Sequence, residues 1–336
     1  MHESSLIVER PYRGVQLPFG ISGIIRLKNA ACCVETVIES FIPFLDEIVA
    51  VYADCDDDTP YILERLKQRY PEKLRVYAYP SHVASIFSKE HMEVGRLSPK
   101  SIANYYNWAF SKASYSVVTK IDHDHLPMEP AFAEAVSMIR RVKPKHFLYT
   151  YSGLNLTKTK QGKFGVPLDQ VFVGVGDHWF FDLGEDVYFE HLPLYEDLVF
   201  DKARRRKHLG LLYWHVKRLL PGYRPQVPAA ASKAPTAREI EGVEWEAFKK
   251  AAKRRFFFWG HPVSDSKRRV FEGRAHWLVR LLLLLPNLKK MRSRLIYINV
   301  RQLRMLDKLP QEIQSGKLAS AARSGGEADT DSSSTR

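Results

Sequence analysis

Asp122 and Asp124, separated by one residue, close the segment Lys120-Ile121-Asp122-His123-Asp124-His125. Two carboxylates at that spacing suit a hard divalent cation, Mg2+ or Mn2+, that also grips diphosphate oxygens. An Asp-x-Asp triplet arises by chance in many chains. A solvated turn with an acid capping the next helix is the plain alternative. Here the triplet follows an apolar run, the place where open α/β sheets bind ligands. A second acidic cluster, Asp54-Cys55-Asp56-Asp57-Asp58, precedes Thr59-Pro60. Carboxylates there accept hydrogen bonds from a base N–H or from ribose hydroxyls, and they also complement a helix dipole. Asp54 and Asp58 are the candidates for touching a nucleotide.

The elements that must position these groups are legible as a pattern. Residues 22–27, 47–52 and 74–79 read as short apolar strands. Between them, residues 34–44 repeat apolar side chains at helical spacing. Residues 59–70 read as a helix opened by Thr59 and Pro60. Strand alternating with helix predicts a mostly parallel, doubly wound sheet with helices on both faces. A helix then opens near Ser98-Pro99, and a strand over 115–121 delivers the Asp-x-Asp segment. Residues 130–141 and 195–208 read as helices, and 146–152, 171–176 and 211–216 as strands.

Composition sets the outer limits. The chain has 336 residues, 45% of them hydrophobic and 26% charged, which is globular composition with room for two domains. Its three cysteines, two of them adjacent at Cys32 and Cys33, make no disulfide framework and favour a reducing compartment. Residues 1–14 lack a basic start followed by an apolar stretch, so no secretory signal is expected. The longest apolar run, 277–286, is interrupted by Arg280 and falls short of the roughly 20 residues that span a bilayer.

The net charge of +13 is uneven: residues 201–310 carry 27 Lys and Arg against 8 Asp and Glu. Four domains of behaviour follow. Residues 1–220 form the α/β unit, and 221–238 form a Pro-rich linker. Residues 239–312 form a basic, mostly helical extension, and 313–336 form a disordered tail. The extension mixes Lys and Arg with aromatics and leucines, the composition of a segment lying on an anionic membrane surface. An ordinary helical subdomain with solvated charge is the alternative. Nucleic acid would need the same charge, but no recognition motif accompanies it. A GxxxxGK[ST] loop and a GxGxxG turn are both absent, which argues against ATP hydrolysis and dinucleotide redox chemistry.

Over residues 20–220, the segments GIIRLKN, VIESFIPFLDEIVAVYADCDDDT, SIANYYNWAF and VVTKIDHDH occur in order. Together they resemble the nucleotide-sugar half of family 2 GT-A glycosyltransferases. The resemblance implies a GT-A fold and an inverting transfer from a nucleotide-diphosphate sugar to a hydroxyl of a glycan or lipid-linked acceptor. It implies that Leu27, Lys28 and Asn29 meet the nucleotide base. Asp54 and Asp58 are the nearest matches to the acids after the second strand, with Ala53 standing at the usual first acidic position. Asp122 and Asp124 match the metal-binding motif. Glu196-Asp197 resembles the family's Glu-Asp motif, so Asp197, with Glu196 and Asp177 as rivals, is the expected catalytic base. His215 matches a third metal ligand, with His261 a weaker rival. Arg96 is placed to meet the diphosphate, and Asn104 and Asn107 to line the donor pocket, with loop charge and a polar helix face as the plain readings. Trp108 reads as core. The Gln-x-x-Arg-Trp motif of processive members is absent. The expected location is cytoplasmic, peripheral at the inner face of a membrane. Two other readings stand beside this one. A nucleotidyltransferase is disfavoured because RLKNAACC lacks glycine. A non-catalytic membrane adaptor is disfavoured by retention of the four acids.

Overall fold

The computed structural model describes residues 6–12, 14–86, 88–158, 164–167, 172–193 and 195–220, together with four short strands further on. In chain order the first elements are β1 (Ile21–Leu27), α1 (Val34–Phe41), β2 (Glu47–Tyr52), α2 (Thr59–Arg69), β3 (Leu74–Ala78), α3 (Lys89–Glu93), α4 (Ile102–Phe110) and β4 (Val117–Ile121). Then follow β5 (His125–Pro127), α5 (Glu129–Val142), β6 (Phe147–Asn155), β7 (Thr157–Lys158), β8 (Phe164–Pro167), β9 (Phe172–Asp182), β10 (Tyr188–His191), β11 (Glu196–Val199) and β12 (Arg205–His215). The four later strands are β13 (Gly242–Glu244), β14 (His261–Ser264), β15 (Arg269–Val270) and β16 (Leu295–Ile298).

Eight strands form the central sheet in the order β3-β2-β1-β4-β9-β6-β12-β5. The first four run parallel, β6 and β12 pair parallel, and β9 and β5 run antiparallel to their neighbours. Strand alternation sends Ile21, Ile25 and Leu27 to one face and Ile24 to the other. The first face packs on the apolar stripe of α1, made by Val34, Val37, Ile38 and Phe41, and on α2 and α5. The second face packs on α4 through Ala103, Tyr106 and Phe110. Helices therefore cover both faces of a mostly parallel sheet, as expected. Among the described residues no helix is long and apolar enough to cross a membrane.

One expectation is corrected. Residues 195–208 are not helical: they hold β11, a connection and the start of β12. Pairing of β12 with β6 buries Leu211, Leu212, Tyr213 and Trp214, and that burial outweighs the helical spacing of the charged stretch before them. Within 239–312, the described segments are strands, with β14 pairing antiparallel to β15 and β16. The rest of the expected helical extension, the linker and the tail lie outside the described residues.

Candidate active site

Parallel pairing sets Ile25 of β1 opposite Ile121 of β4, so both strands end at the same edge of the sheet. Strand order reverses at β1, which is where a crevice opens in such sheets. Leu27 and Lys28 leave β1 there, Ala53 leaves β2, and Asp122 to His125 leave β4. On the far side, β5 and β12 set His125 opposite His215, and β12 and β6 set His215 opposite Asn155. These ends enclose a cleft of about 450 Å³. Its walls include Arg26, Leu27, Lys28, Ala53, Val83 to Ile86, Tyr105, Asp122 to His125, His178 and His215.

The metal-motif residues meet at its floor. Asp124 is 4% exposed, and its Oδ2 lies 3.3 Å from His215 Nε2. His215 Nδ1 meets Asn155 Oδ1, which orients the ring with Nε2 toward Asp124. Protonated, the ring donates to that carboxylate; neutral with its proton on Nδ1, it presents the Nε2 lone pair beside the carboxylate, a pair of ligands a divalent ion can share. The donor set fits a divalent ion. Asp122 Oδ2 accepts from His178 Nε2 at 3.1 Å and lies 3.6 Å from Lys120 Nζ. Burial would raise the Asp122 carboxyl, but the Lys120 ammonium and the His178 hydrogen bond outweigh it and hold it well below the usual range. Asp124 is likewise lowered against its burial, by His215 and His125. His125 is held neutral by burial and by His178 beside it.

The other expected residues divide. Leu27 and Lys28 line the cleft. Asn29 and Asp54 both have positive φ, 50° and 49°, and serve the loops. Asn29 Oδ1 accepts from the Asp56 amide at 3.0 Å. Asp54 Oδ2 accepts from the Val83 amide at 3.0 Å and pairs with His82 at 2.7 Å and Lys28 at 3.4 Å. It thereby pins the Val83–Ile86 wall rather than facing the cleft. Asp58 precedes α2 with no side-chain cap bond, and Asp57 takes that work by accepting from the Ala31 and Thr59 amides. Arg96 pairs with Glu190 at 3.5 Å, outside this cleft.

Asn104 and Asn107 do not line this cleft. Asn104 binds the Leu6 carbonyl, the Val8 amide and the Tyr79 hydroxyl. Asn107 binds the Glu9 and Phe189 carbonyls and the Phe189 amide. Both are used up tying the N-terminal strap and β10 to α4. Trp108 is core, as expected.

The Glu-Asp pair sits on β11, not at a helix start. Leu198 is buried, and alternation puts Glu196 on its face and Asp197 on the opposite one. Asp197 is exposed, and its Oδ1 accepts from the next amide, Leu198, at 2.9 Å. Glu196 and Asp122 both bear on the buried Tyr106 phenol, as do Arg26 and Lys120. Burial pushes that phenol up, with the two cations opposing. The Arg26 guanidinium stacks 3.1 Å above the Tyr106 ring and reaches the cleft. Sequence reasoning passed over Arg26, Lys120, His125 and His178. Lys120 and His125 lie inside the motif itself. Asp177 lies in β9 and His261 in β14, with both side chains outside the described residues.

Residues 12–158 match the family model described as "Beta-1,4-N-acetylgalactosaminyltransferase (CgtA)". The match runs from before β1 through β7 and includes Asp122 and Asp124. It bears out the glycosyltransferase resemblance over that stretch. No curated protein matches the chain. Among solved structures, the chain is similar to S. aureus TarS at 15% identity and a TM-score of 0.38, covering 58% of this chain and 36% of that one. The TarS 1–349 complex with UDP-GlcNAc gives 16% identity and a TM-score of 0.33, covering 70% and 64%. Glucosyl-3-phosphoglycerate synthase from Mycobacterium tuberculosis, in complex with Mg2+ and UDP, gives 16% and 0.26, covering 39% and 42%. The chain thus spans little more than a third of TarS and about two fifths of the mycobacterial enzyme.

Proposed function

We propose that this chain transfers a sugar from a nucleotide-diphosphate donor to a hydroxyl of a glycan acceptor, with inversion and with a divalent cation. The observation that carries the reading is the opposed pair Asp124 Oδ2 and His215 Nε2, 3.3 Å apart at the carboxyl edge of β4. The family match over 12–158 supports it. The activity in that family's description makes N-acetylgalactosamine the first sugar to test.

Asp124, Asp122 and His215 would hold the cation, Mn2+ or Mg2+. When bound, it supplies positive charge against the departing nucleoside diphosphate. Leu27 and Lys28 border the nucleotide side. Arg26 and Lys120 add fixed positive charge at the floor, where charge develops on the leaving group. Glu196, on the inward face of β11, is the base we assign in preference to Asp197. Its carboxylate takes the acceptor hydroxyl proton as that oxygen bonds to the anomeric carbon and the bond to the diphosphate oxygen breaks. One displacement inverts the centre.

We further assign residues 1–220 to catalysis, 221–238 to a linker and 313–336 to a tail. The basic region 239–312 would hold the enzyme at an anionic membrane surface on the cytoplasmic side. Lipid-linked or cell-surface glycans are the acceptors that fit such a location.

Thermal stability of the full chain with UDP, GDP, CMP or dTDP, each with and without Mn2+, tests the proposal. A ligand at 100 times its Kd adds about 2.7 kcal/mol, roughly 5–10 °C here. One nucleotide should shift the wild type only with Mn2+, and Asp124→Ala should abolish that shift. No shift with any nucleotide would count against the transferase reading.

A further inference from the structure

Arg26 carries its charge into the cleft without a carboxylate beside it. It lies in β1 on the face it shares with Ile24, and it lines the cleft next to Leu27 and Lys28. Lys28 is paired with Asp54 at 3.4 Å, and Lys120 with Asp122 at 3.6 Å. Among the described residues the Arg26 guanidinium has no hydrogen-bond or ion-pair partner. It has a ring instead. Its Cζ sits 3.1 Å from the centroid of Tyr106 and 5.5 Å from that of Tyr105.

Tyr106, on α4, is 2% exposed. The Phe189 ring lies nearly parallel to it, 12° apart and 4.2 Å away between centroids. Two groups this close cannot share one face, so Tyr106 is held between Arg26 and Phe189. Phe189 is itself fixed to α4, because its amide and carbonyl both bond to the Asn107 side chain, at 2.8 and 2.9 Å. The stack is therefore anchored in β1, α4 and β10. A free arginine side chain gives up rotamer freedom when it binds an anion. An aromatic face settles the plane of the guanidinium beforehand and leaves its N–H edge open. That edge matches two oxygens of a phosphoryl group.

We propose that Tyr106 is a positioning residue: its ring holds Arg26 edge-on to the cleft, where Arg26 grips the diphosphate of the donor. The inference rests on the transferase reading above and deepens it, because it makes Arg26 and its stack the reason a nucleoside diphosphate is chosen over a monophosphate. Arg26 touches the substrate, and Tyr106 acts through Arg26. The ring face does this work and the hydroxyl does not.

Titration of the full chain in Mn2+ with UDP and UMP, GDP and GMP, CDP and CMP, or dTDP and dTMP reads the preference for diphosphate. For the base that binds, Arg26→Gln should lower that preference about tenfold, the worth of one hydrogen bond between charged groups. Tyr106→Phe keeps the ring and should keep the preference. Tyr106→Leu should lose as much as Arg26→Gln, and the double variant no more than either alone. A Tyr106 that served only the core would lower the melting temperature of Tyr106→Leu and leave the preference unchanged, which would overturn the inference. Should Tyr106→Leu fail to fold, pentafluorophenylalanine placed at position 106 decides, since it keeps the size of the ring and reverses the charge of its face. It should lower the preference where Tyr106→Phe does not, and equal preferences in those two would overturn the inference. If nucleotide binding still depended on Mn2+ in that case, the transferase reading would stand. No nucleotide binding in the wild type would overturn both.

Discussion

Glu47 and Asp124 are both buried carboxylates on neighbouring parts of one sheet, and they keep opposite company. Glu47, at the amino end of β2, is 1% exposed. Its Oε1 accepts from Ser22 Oγ at 2.6 Å and from the Ser114 amide at 2.5 Å, and its Oε2 from Arg75 Nε at 3.0 Å. Every contact is a donor. Asp124, just beyond the carboxyl end of β4, faces two imidazoles instead, His215 Nε2 at 3.3 Å and His125 Nε2 at 3.6 Å. Arg204 repeats the first arrangement: its buried guanidinium is held by Asp182, Asp186 and the Phe147 carbonyl. Carboxylates ringed by donors lock strands and loops together. A carboxylate faced by imidazoles keeps company that can share a cation with it, which is what the proposed site requires.

The two ends should therefore separate under mutation. Asp124→Ala should remove cation-dependent nucleotide binding and lower transfer by about 10³-fold or more, while metal-free melting stays level or rises. Glu47→Ala should do the reverse. Orphaning the Ser22 hydroxyl and the Ser114 amide costs about 1–3 kcal/mol each, several degrees in Tm, with the Mn2+ response per bound nucleotide unchanged. Calorimetry with and without Mn2+ on both variants checks this. If both lost stability alike, the contrast would fail.

The next largest effect separates neighbours on β11. Glu196→Gln should cut kcat by about 10²–10⁴-fold with donor affinity retained. Asp197→Asn should stay near the wild type. A dead Asp197→Asn enzyme with an active Glu196→Gln partner would reverse the assignment. Asn104→Ala is expected to cost about 1–3 kcal/mol through the freed Leu6 and Val8 groups, read as a lower urea midpoint. Nucleotide affinity should not move, because that side chain anchors the strap.

The last effect is on pH dependence. Burial lowers His208 to about 4 and holds His125 neutral. Unfolded imidazoles titrate near about 6.5, so between about pH 6.5 and 4 the unfolded chain binds more protons and stability falls as pH falls. His208→Asn should flatten that slope in a series of melts. An unchanged slope would remove His208 from the account.

The strand–helix alternation of 21–78 was legible because each element shows its own period: apolar runs for buried strands, and Val34, Val37, Ile38 and Phe41 for α1. The second half was harder to read. Arg205 to His208 looks solvated, and only the pairing of β12 with β6 makes it strand. That error moved Glu196 and Asp197 from a helix start to a strand, where one residue of register decides which acid faces inward. Asp122, Asp124 and His215 could be found from motif and order. His178 could not, because it reaches Asp122 only through the antiparallel pairing of β9 with β4 and β6. Asn104 looked like a ligand because a polar helix residue carries no sign of which partner its face will meet.

The most direct test is nucleotide affinity measured by titration calorimetry with and without Mn2+, in the wild type and in Asp124→Ala. The expected result is at least tenfold tighter binding with Mn2+ in the wild type and no Mn2+ effect in the variant. Equal affinities in the wild type with and without Mn2+ would contradict the claim that Asp124 and His215 face each other to hold a cation.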